Sequence, residues 1–238
     1  MKTAQTYLNG NTYPGRGLLI GQHCDGNNAV VAYFIMGRSE NSRNRIFTPD
    51  GSGLRTLPFD SSRMRDPSLV IYSPVRVLGN QIIVSNGDQT DTIFDYLRDG
   101  KSFEDALRSR EYEPDEPIYT PRISGLLVKK PRNTFSYKLS VLKASESAQK
   151  VCQRFFYEYD EPVIGEGHLI HTYLRDGKPV VPSFAGEPVR VAISGSIDAY
   201  TRTLWNALDP DNKVSLFVRY INLLTGETQT KIENKNFG

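Results

Sequence analysis

Three arginines crowd one nine-residue stretch, GRSENSRNR, from Gly37 to Arg45. Arg38, Arg43 and Arg45 sit there among short hydrogen-bonding residues, including Ser39, Asn41 and Asn44. A guanidinium offers two parallel N–H donors to a phosphate or carboxylate, and Ser and Asn fill the remaining acceptor sites. The stretch follows an apolar run, Ala29 to Met36, that reads as a buried strand. It therefore predicts an anion site at a strand end. The competing reading is a solvated basic loop.

Three more segments concentrate polar residues where strands should end. The first is Tyr72-Ser73-Pro74 with Arg76, and the second is SNGDQTDT, Ser85 to Thr92. The second reads as a strand–turn–helix junction whose free amides can face an anion. Asp88 and Asp91 would repel a phosphate placed too close, and their alternative role is helix capping. The third is EYEPDEPIYTPRI, Glu111 to Ile123. Its prolines exclude a regular helix or central strand, so it must be a stiff, shaped loop. Its carboxylates, Glu111, Glu113, Asp115 and Glu116, are candidates for acid or base chemistry, because crowded like charges raise one pKa toward neutrality. The alternative is a solvated acidic loop.

The elements that must position these groups are mostly short strands. Gly17 to Gly21 and Ala29 to Met36 flank a turn at Asp25 to Asn28. Ser68 to Tyr72 and Val75 to Leu78 follow, and Gly79-Asn80 turns the chain into Gln81 to Ser85. Apolar residues at 93, 94 and 97 predict a helix over Asp88 to Arg98, stopped by Gly100. A second helix is predicted over Ser102 to Arg110, with Ser102 as its cap. Strands are predicted at Ile123 to Lys129, Phe135 to Leu142, Val151 to Tyr159, Leu169 to Leu174 and Val189 to Ile193, with a hairpin turn at Arg175 to Lys178. A helix from Asp198 to Leu208, capped near Ser196, precedes a last hairpin, Val214 to Leu223 and Glu227 to Ile232. Many antiparallel strands with few helices predict a single α+β domain over residues 1–238, two sheets packed face to face with helices outside.

Bulk properties narrow the function classes. The 238 residues carry a net charge of +2 with both signs mixed, which does not call for nucleic acid or a membrane surface as partner. No apolar run is long enough to span a bilayer, and the polar N-terminus lacks a signal-peptide core, so a soluble, cytoplasmic protein is expected. Cys24 and Cys152 form no CxxC pair, and His23, His168 and His171 make no recognised metal spacing, so no metal is expected. On a strand, His168 and His171 point to opposite faces.

The segments VAYFIMGRSENSRNR, DPSLVIYSPVRVLG, IIVSNGDQTDTI and YEPDEPIYTPRI together resemble the archaeal-type inosine monophosphate (IMP) cyclohydrolase family. The resemblance runs from Tyr13 to Ser124 and is looser beyond. It implies a four-layer αββα sandwich similar to the N-terminal-nucleophile hydrolases. It also implies ring closure of the formamido derivative of aminoimidazole carboxamide ribonucleotide (FAICAR) to IMP, reversibly, without cofactor or metal. By resemblance Glu113 is the base, while Tyr72 and Arg38 (or an amide near Asn86) are donors to the developing oxyanion. Arg38, Ser39, Asn44 and Arg45 form the phosphate group, joined by Arg16 or Arg122. Asn86, Gly87 and Asp88 lie near the ribose or base.

Two other functions fit the residues. One is a true N-terminal-nucleophile amidohydrolase, which needs an exposed Cys, Ser or Thr as its first residue. The other is a non-catalytic purine-nucleotide-binding module. Oligomeric state is not legible, although β-sandwich enzymes of this size often associate as homo-oligomers.

Overall fold

The computed structural model describes residues 1–146, 151–177 and 180–237. A short helix α1 (Ala4–Leu8) leads into the hairpin β1 (Arg16–Gln22) and β2 (Asn28–Met36), turned where Asp25 and Asn28 were expected to turn it. One helical turn α2 (Glu40–Arg43) precedes β3 (Arg45–Asp50) and β4 (Gly53–Pro58). Next come β5 (Val75–Leu78), β6 (Gln81–Ser85), α3 (Gln89–Arg98) and α4 (Phe103–Arg108). The rest is β7 (Arg122–Lys130), β8 (Thr134–Ala144), β9 (Cys152–Tyr159), β10 (Glu166–His171), β11 (Val189–Ala192), α5 (Ile197–Ala207), β12 (Lys213–Asn222) and β13 (Thr228–Asn234).

The strands form two antiparallel sheets among the described residues. One has the order β11-β10-β1-β2-β12-β13 and the other β3-β4-β5-β6-β7-β8-β9. Alternation of side chains sorts the apolar residues. Leu18, Ile20, Val31, Tyr33 and Ile35 of the first sheet meet Phe47, Leu54, Val84, Ile123 and Leu127 of the second in one core. Intervening residues such as Leu19, Ala32 and Phe34 face the other way and pack on α1 and α5. On the second sheet Ile83 and Leu126 pack outward on α3 and α4. Each fully buried Leu, Ile or Phe contributes roughly 1.5–3 kcal/mol of transfer free energy, so a face so consistently apolar fixes the register. Gly125 lets the sheets approach, since a Cβ there would sit 2.9 Å from Ile20 and Leu18 side chains.

Four points of the sequence reading are corrected. Ser68 to Tyr72 is a turn and loop, not a strand. Its backbone is held instead by Thr56, whose Oγ1 accepts from Tyr72 N at 2.8 Å and donates to Val70 O at 3.0 Å. The β3–β4 hairpin went unpredicted because Pro49 and Pro58 interrupt its alternation, yet both lie at ladder positions of the sheet's edge pair. Asp88 is the N-cap residue of α3 but makes no side-chain cap bond, because its carboxylate is engaged by arginines. The strand expected to reach Leu174 ends at His171, followed by a single bridge from Tyr173 to Ser183. The turn expected over 175–178 includes Lys178, which lies outside the described residues. No described helix is long and apolar enough to cross a membrane.

Candidate active site

Antiparallel pairing brings the start of β1, the end of β2, the starts of β3 and β7 and the segment after β10 to one end of the sandwich. Arg16 pairs with Ile35, and Gly17 with His171. The cavity there, about 190 Å³, is lined by Tyr13, Arg16, Arg38, Arg45, Asp115 and Tyr173, with Ser39 and Ser42 at its edge.

Arg45 sits at its centre of charge. The side chain is fully buried. Its Nε donates to Ser42 O at 2.8 Å and Nη2 to Met36 O at 3.4 Å, while Nη1 has no partner. Among the described residues it makes no ion pair. Burial and the neighbouring Arg16 charge push its pKa down, the signature of a cation lacking an anion. Arg38 is half-buried, stacks over the Tyr13 ring at 4.6 Å and pairs with Asp176 at 2.6 Å. Tyr13 in turn stacks on Tyr173 at 5.6 Å between centroids.

The proline-rich acidic loop delivers Glu113, which is 1% exposed. Arg16 Nη1 donates to its Oε1 at 2.8 Å. Burial pushes the Glu113 carboxyl up, and the charges of Arg16 and Arg122 pull it partly back. The pair with Glu113 and nearby tyrosines holds Arg16 well above the ordinary guanidinium range despite its burial. Asp115 shapes the loop, accepting from Thr120 N at 2.6 Å and Thr120 Oγ1 at 2.5 Å, and Thr120 Oγ1 meets Tyr173 OH at 2.5 Å. Tyr72 reaches the same region from its loop. Its phenol is 2.8 Å from Tyr33 OH, and both rings interact electrostatically with Arg16 and Arg45.

Asn86 works as a latch at the end of β6. Its Nδ2 donates to Pro121 O at 2.9 Å, and its Oδ1 accepts from Ile123 N at 2.8 Å and Gln89 Nε2 at 2.8 Å. Gly87 lies against the site, since a Cβ there would stand 2.7 Å from Arg122 Nη1 and 3.5 Å from Glu113 Oε1. Arg122 is 5% exposed and donates to Asp88 at 2.7 Å and to Gln89 Oε1 at 2.7 Å. Asp88 also accepts from Arg110.

Of the expected site residues, Arg38, Ser39 and Arg45 line the cavity, while Glu113 adjoins it through Arg16, Tyr72 is held by Tyr33, and Gly87 and Arg122 lie beside Glu113, these four outside the cavity lining. The fold leaves Asn44 aside: Asn44 Nδ2 donates to Asp60 O at 2.7 Å and Oδ1 accepts from Asp60 N at 2.8 Å, beside a different depression with Arg63 and Phe59. Asn86 is consumed by its latch. Sequence reasoning gave Arg16 only a supporting part in phosphate binding, whereas it is the direct partner of Glu113. It missed Tyr13, Thr120 and Tyr173 altogether. The clue for Arg16 was its place one residue before an apolar strand, and Tyr173 carried none. Cys24 lies past the opposite end of β1, and seven strand residues span roughly 20 Å, so it is not part of this cavity.

Proteins described as IMP cyclohydrolase include one from Methanothrix thermoacetophila, 36% identical over 119 residues, covering 48% of this chain and 57% of the relative. One from Methanococcus aeolicus is 30% identical over 119 residues, covering 48% and 58%. A third, from Methanopyrus kandleri, is 30% identical over 165 residues, covering 68% of this chain and 75% of that protein. The matched stretch thus spans less than two thirds of the length of the first two. The sequence model of one family reaches further, over residues 13–227, and on that match this chain belongs to the family described as IMP cyclohydrolase-like protein.

Proposed function

We propose that the chain is an IMP cyclohydrolase, closing FAICAR to IMP with loss of water, and reversibly opening it. The observation that carries this is the buried Arg45, with an unpartnered Nη1, in a cavity shared with Arg16 and Arg38 and adjoining the buried Glu113. A ribotide phosphate supplies the missing anion, and Arg45, Arg38 and the Ser39 hydroxyl hold it. The names of the matched relatives support the substrate class.

Ring closure requires the carboxamide nitrogen to attack the neighbouring formyl carbon. Both groups sit on adjacent ring atoms, so the site chiefly selects the rotamer in which they face each other. The amide lone pair is delocalised, and Glu113 takes the nitrogen's proton as the new bond forms. It returns that proton to the formyl oxygen, giving the carbinolamine. The formamido nitrogen then gives up its own proton as its double bond to the former formyl carbon forms. This second proton reaches the departing oxygen through Glu113 or water, so that the oxygen leaves as a water molecule. Such transfer contributes roughly 10²–10⁴ in rate. Arg16 keeps the ionised carboxylate oriented, while burial keeps it basic enough to accept a proton. The formyl oxygen gains negative charge, and the Tyr72 phenol donates to it, its own geometry fixed by Tyr33. Gly87 leaves room for the Arg122 and Gln89 side chains to pack beside Glu113, since a Cβ there would meet both at 2.7 Å.

The same reading holds the whole chain to be one cytoplasmic domain with a four-layer αββα arrangement similar to the N-terminal-nucleophile hydrolases. The helix pairs packed on the outer face of each sheet support that layering. No cofactor enters the reaction as written.

Purified protein incubated with FAICAR should produce the ultraviolet change of IMP formation. Glu113→Gln should keep nucleotide binding and lose turnover by roughly 10²-fold or more. Near-normal turnover in that variant would remove Glu113 as the base, and no turnover in the parent chain would leave a purine-nucleotide-binding module.

A further inference from the structure

A second and larger cavity, about 420 Å³, opens between the two sheets at the end opposite the arginine cavity. The end of β3 and its turn, the ends of β5, β7 and β12, and the start of β13 surround it. Its wall on β13 follows residue 227, where the family match stops.

Its chemistry is divided. Val77, Ile82, Ile221 and Ile232 give it an apolar floor. Arg219 and Lys129 bring two cations, and Thr228 and Thr230 bring hydroxyls. Arg219 is 7% exposed. Its Nη1 donates to Ser52 O at 2.7 Å and its Nε to Thr230 Oγ1 at 3.0 Å, which fixes the guanidinium plane. Nη2 has no hydrogen bond among the described residues, and neither Arg219 nor Lys129 makes an ion pair among them. Burial pushes the Arg219 pKa down, and its one charge contact among the described residues is the Phe217 ring, 5.1 Å from the guanidinium carbon, a weak partner that is not a counter-charge. A cation taken out of water without a counter-charge is costly, and this one is held rigid and lines an open cavity.

We propose that this cavity is a binding site for an amphipathic organic anion, its carboxylate taken by Arg219 and Lys129 and its apolar skeleton laid over Val77, Ile82, Ile221 and Ile232. A bare phosphate would satisfy the cations but leave the floor wet. A neutral apolar molecule would cover the floor but leave Arg219 uncompensated. The site needs both halves in one ligand, and it lies apart from Arg45 and Glu113, so the two sites can be read separately.

The test is a titration of the full ¹⁵N-labelled chain followed by amide chemical shifts, with octanoate, octanamide and inorganic phosphate as probes. Octanoate should move the amides of Gly53, Gly79, Gly226 and Thr228 to saturation. Octanamide and phosphate should each bind at least about tenfold more weakly, the ordinary effect of losing one of two cooperating halves. Lys129→Gln and Arg219→Gln should each weaken octanoate by about tenfold, and Lys129, which is half-buried, can be replaced without exposing the core. Equal binding of octanamide or of phosphate, octanoate shifts confined to Gly15 and Thr120 around the arginine cavity, or no effect of Lys129→Gln would each overturn the proposal. Failure here leaves ring closure of FAICAR untouched, since that is measured at the other end of the molecule.

Discussion

Replacing Arg45 with methionine should make the ligand-free protein more stable and the ligand-binding protein worse. The side chain is fully buried and its charge is unpaired. An ion so placed carries an effective penalty of several kcal/mol. Methionine fills most of the volume without the charge. It also abandons two carbonyl acceptors, Ser42 O at 2.8 Å and Met36 O at 3.4 Å. Each loss costs roughly 1–3 kcal/mol, the long bond at the weak end. Replacing buried ionic groups by apolar side chains of similar volume is stabilising by about 1–4 kcal/mol, and the two lost bonds put this case at the low end, about 1–2 kcal/mol. In a chain of this size that raises the melting temperature by roughly 2–8 °C. With IMP at a hundredfold over Kd the parent gains about 2.7 kcal/mol. The variant should gain much less, because removing one partner of a desolvated charge contact costs about 2–5 kcal/mol of binding. Calorimetry with and without IMP reads both halves. A variant that melts below the parent without ligand, or gains as much as the parent from IMP, would refute the idea that Arg45 waits for an anion.

The pH profile of ring closure should fall on the acid side at a pH above the ordinary carboxylate range, because burial holds the Glu113 carboxyl high and the base must be ionised. Arg122→Gln should move that limb further up, and a limb unmoved by the loss of Arg122 would disconnect it from Glu113. Tyr72→Phe should lower kcat by roughly 10²-fold through loss of an oxyanion donor, while KM for FAICAR changes little; a raised KM with kcat unchanged would instead indicate ground-state binding. Asn86→Ala should cost roughly 2–4 kcal/mol in denaturant unfolding, because its three side-chain bonds tie the end of β6 to Pro121, to Ile123 of β7 and to Gln89 of α3. His171 is buried with its pKa lowered to about 4 from 6.5, so the folded state binds fewer protons than the unfolded one between those values. Stability should therefore fall as pH drops through that window, by up to about 1.4 kcal/mol per pH unit, and a His171→Gln variant should show a flatter slope there.

How legible the molecule was from its residues depended on the range of the interaction. Strand and helix signals are local, and β1, β2, β6, α4, α5 and the β12–β13 hairpin follow from apolar runs, turn residues and caps. Ser196 and Ser102 cap the helices they were expected to cap. The run Ser68 to Tyr72 looks the same locally, but its backbone is held by the single residue Thr56 of β4, through its hydroxyl and its amide, rather than by a ladder of strand bonds, a choice made by packing.

The order of residues along the chain already sets the charge types at the site, since clustered arginines and a proline-stiffened acidic loop are written in adjacent residues. It also determined the α+β alternation, because periodicity needs only near neighbours. Packing settles which of these cations is buried without an anionic partner. Arg43, Arg38 and Arg45 are equivalent in the chain, yet Arg43 bonds to Gly37 O and Asn212, Arg38 pairs with Asp176, and Arg45 is left buried and uncompensated. It likewise decided that Glu113 faces Arg16, 97 residues away, and that Tyr173 joins Tyr13. Burial and long-range pairing are properties of the packed sheets, and no local pattern encodes them.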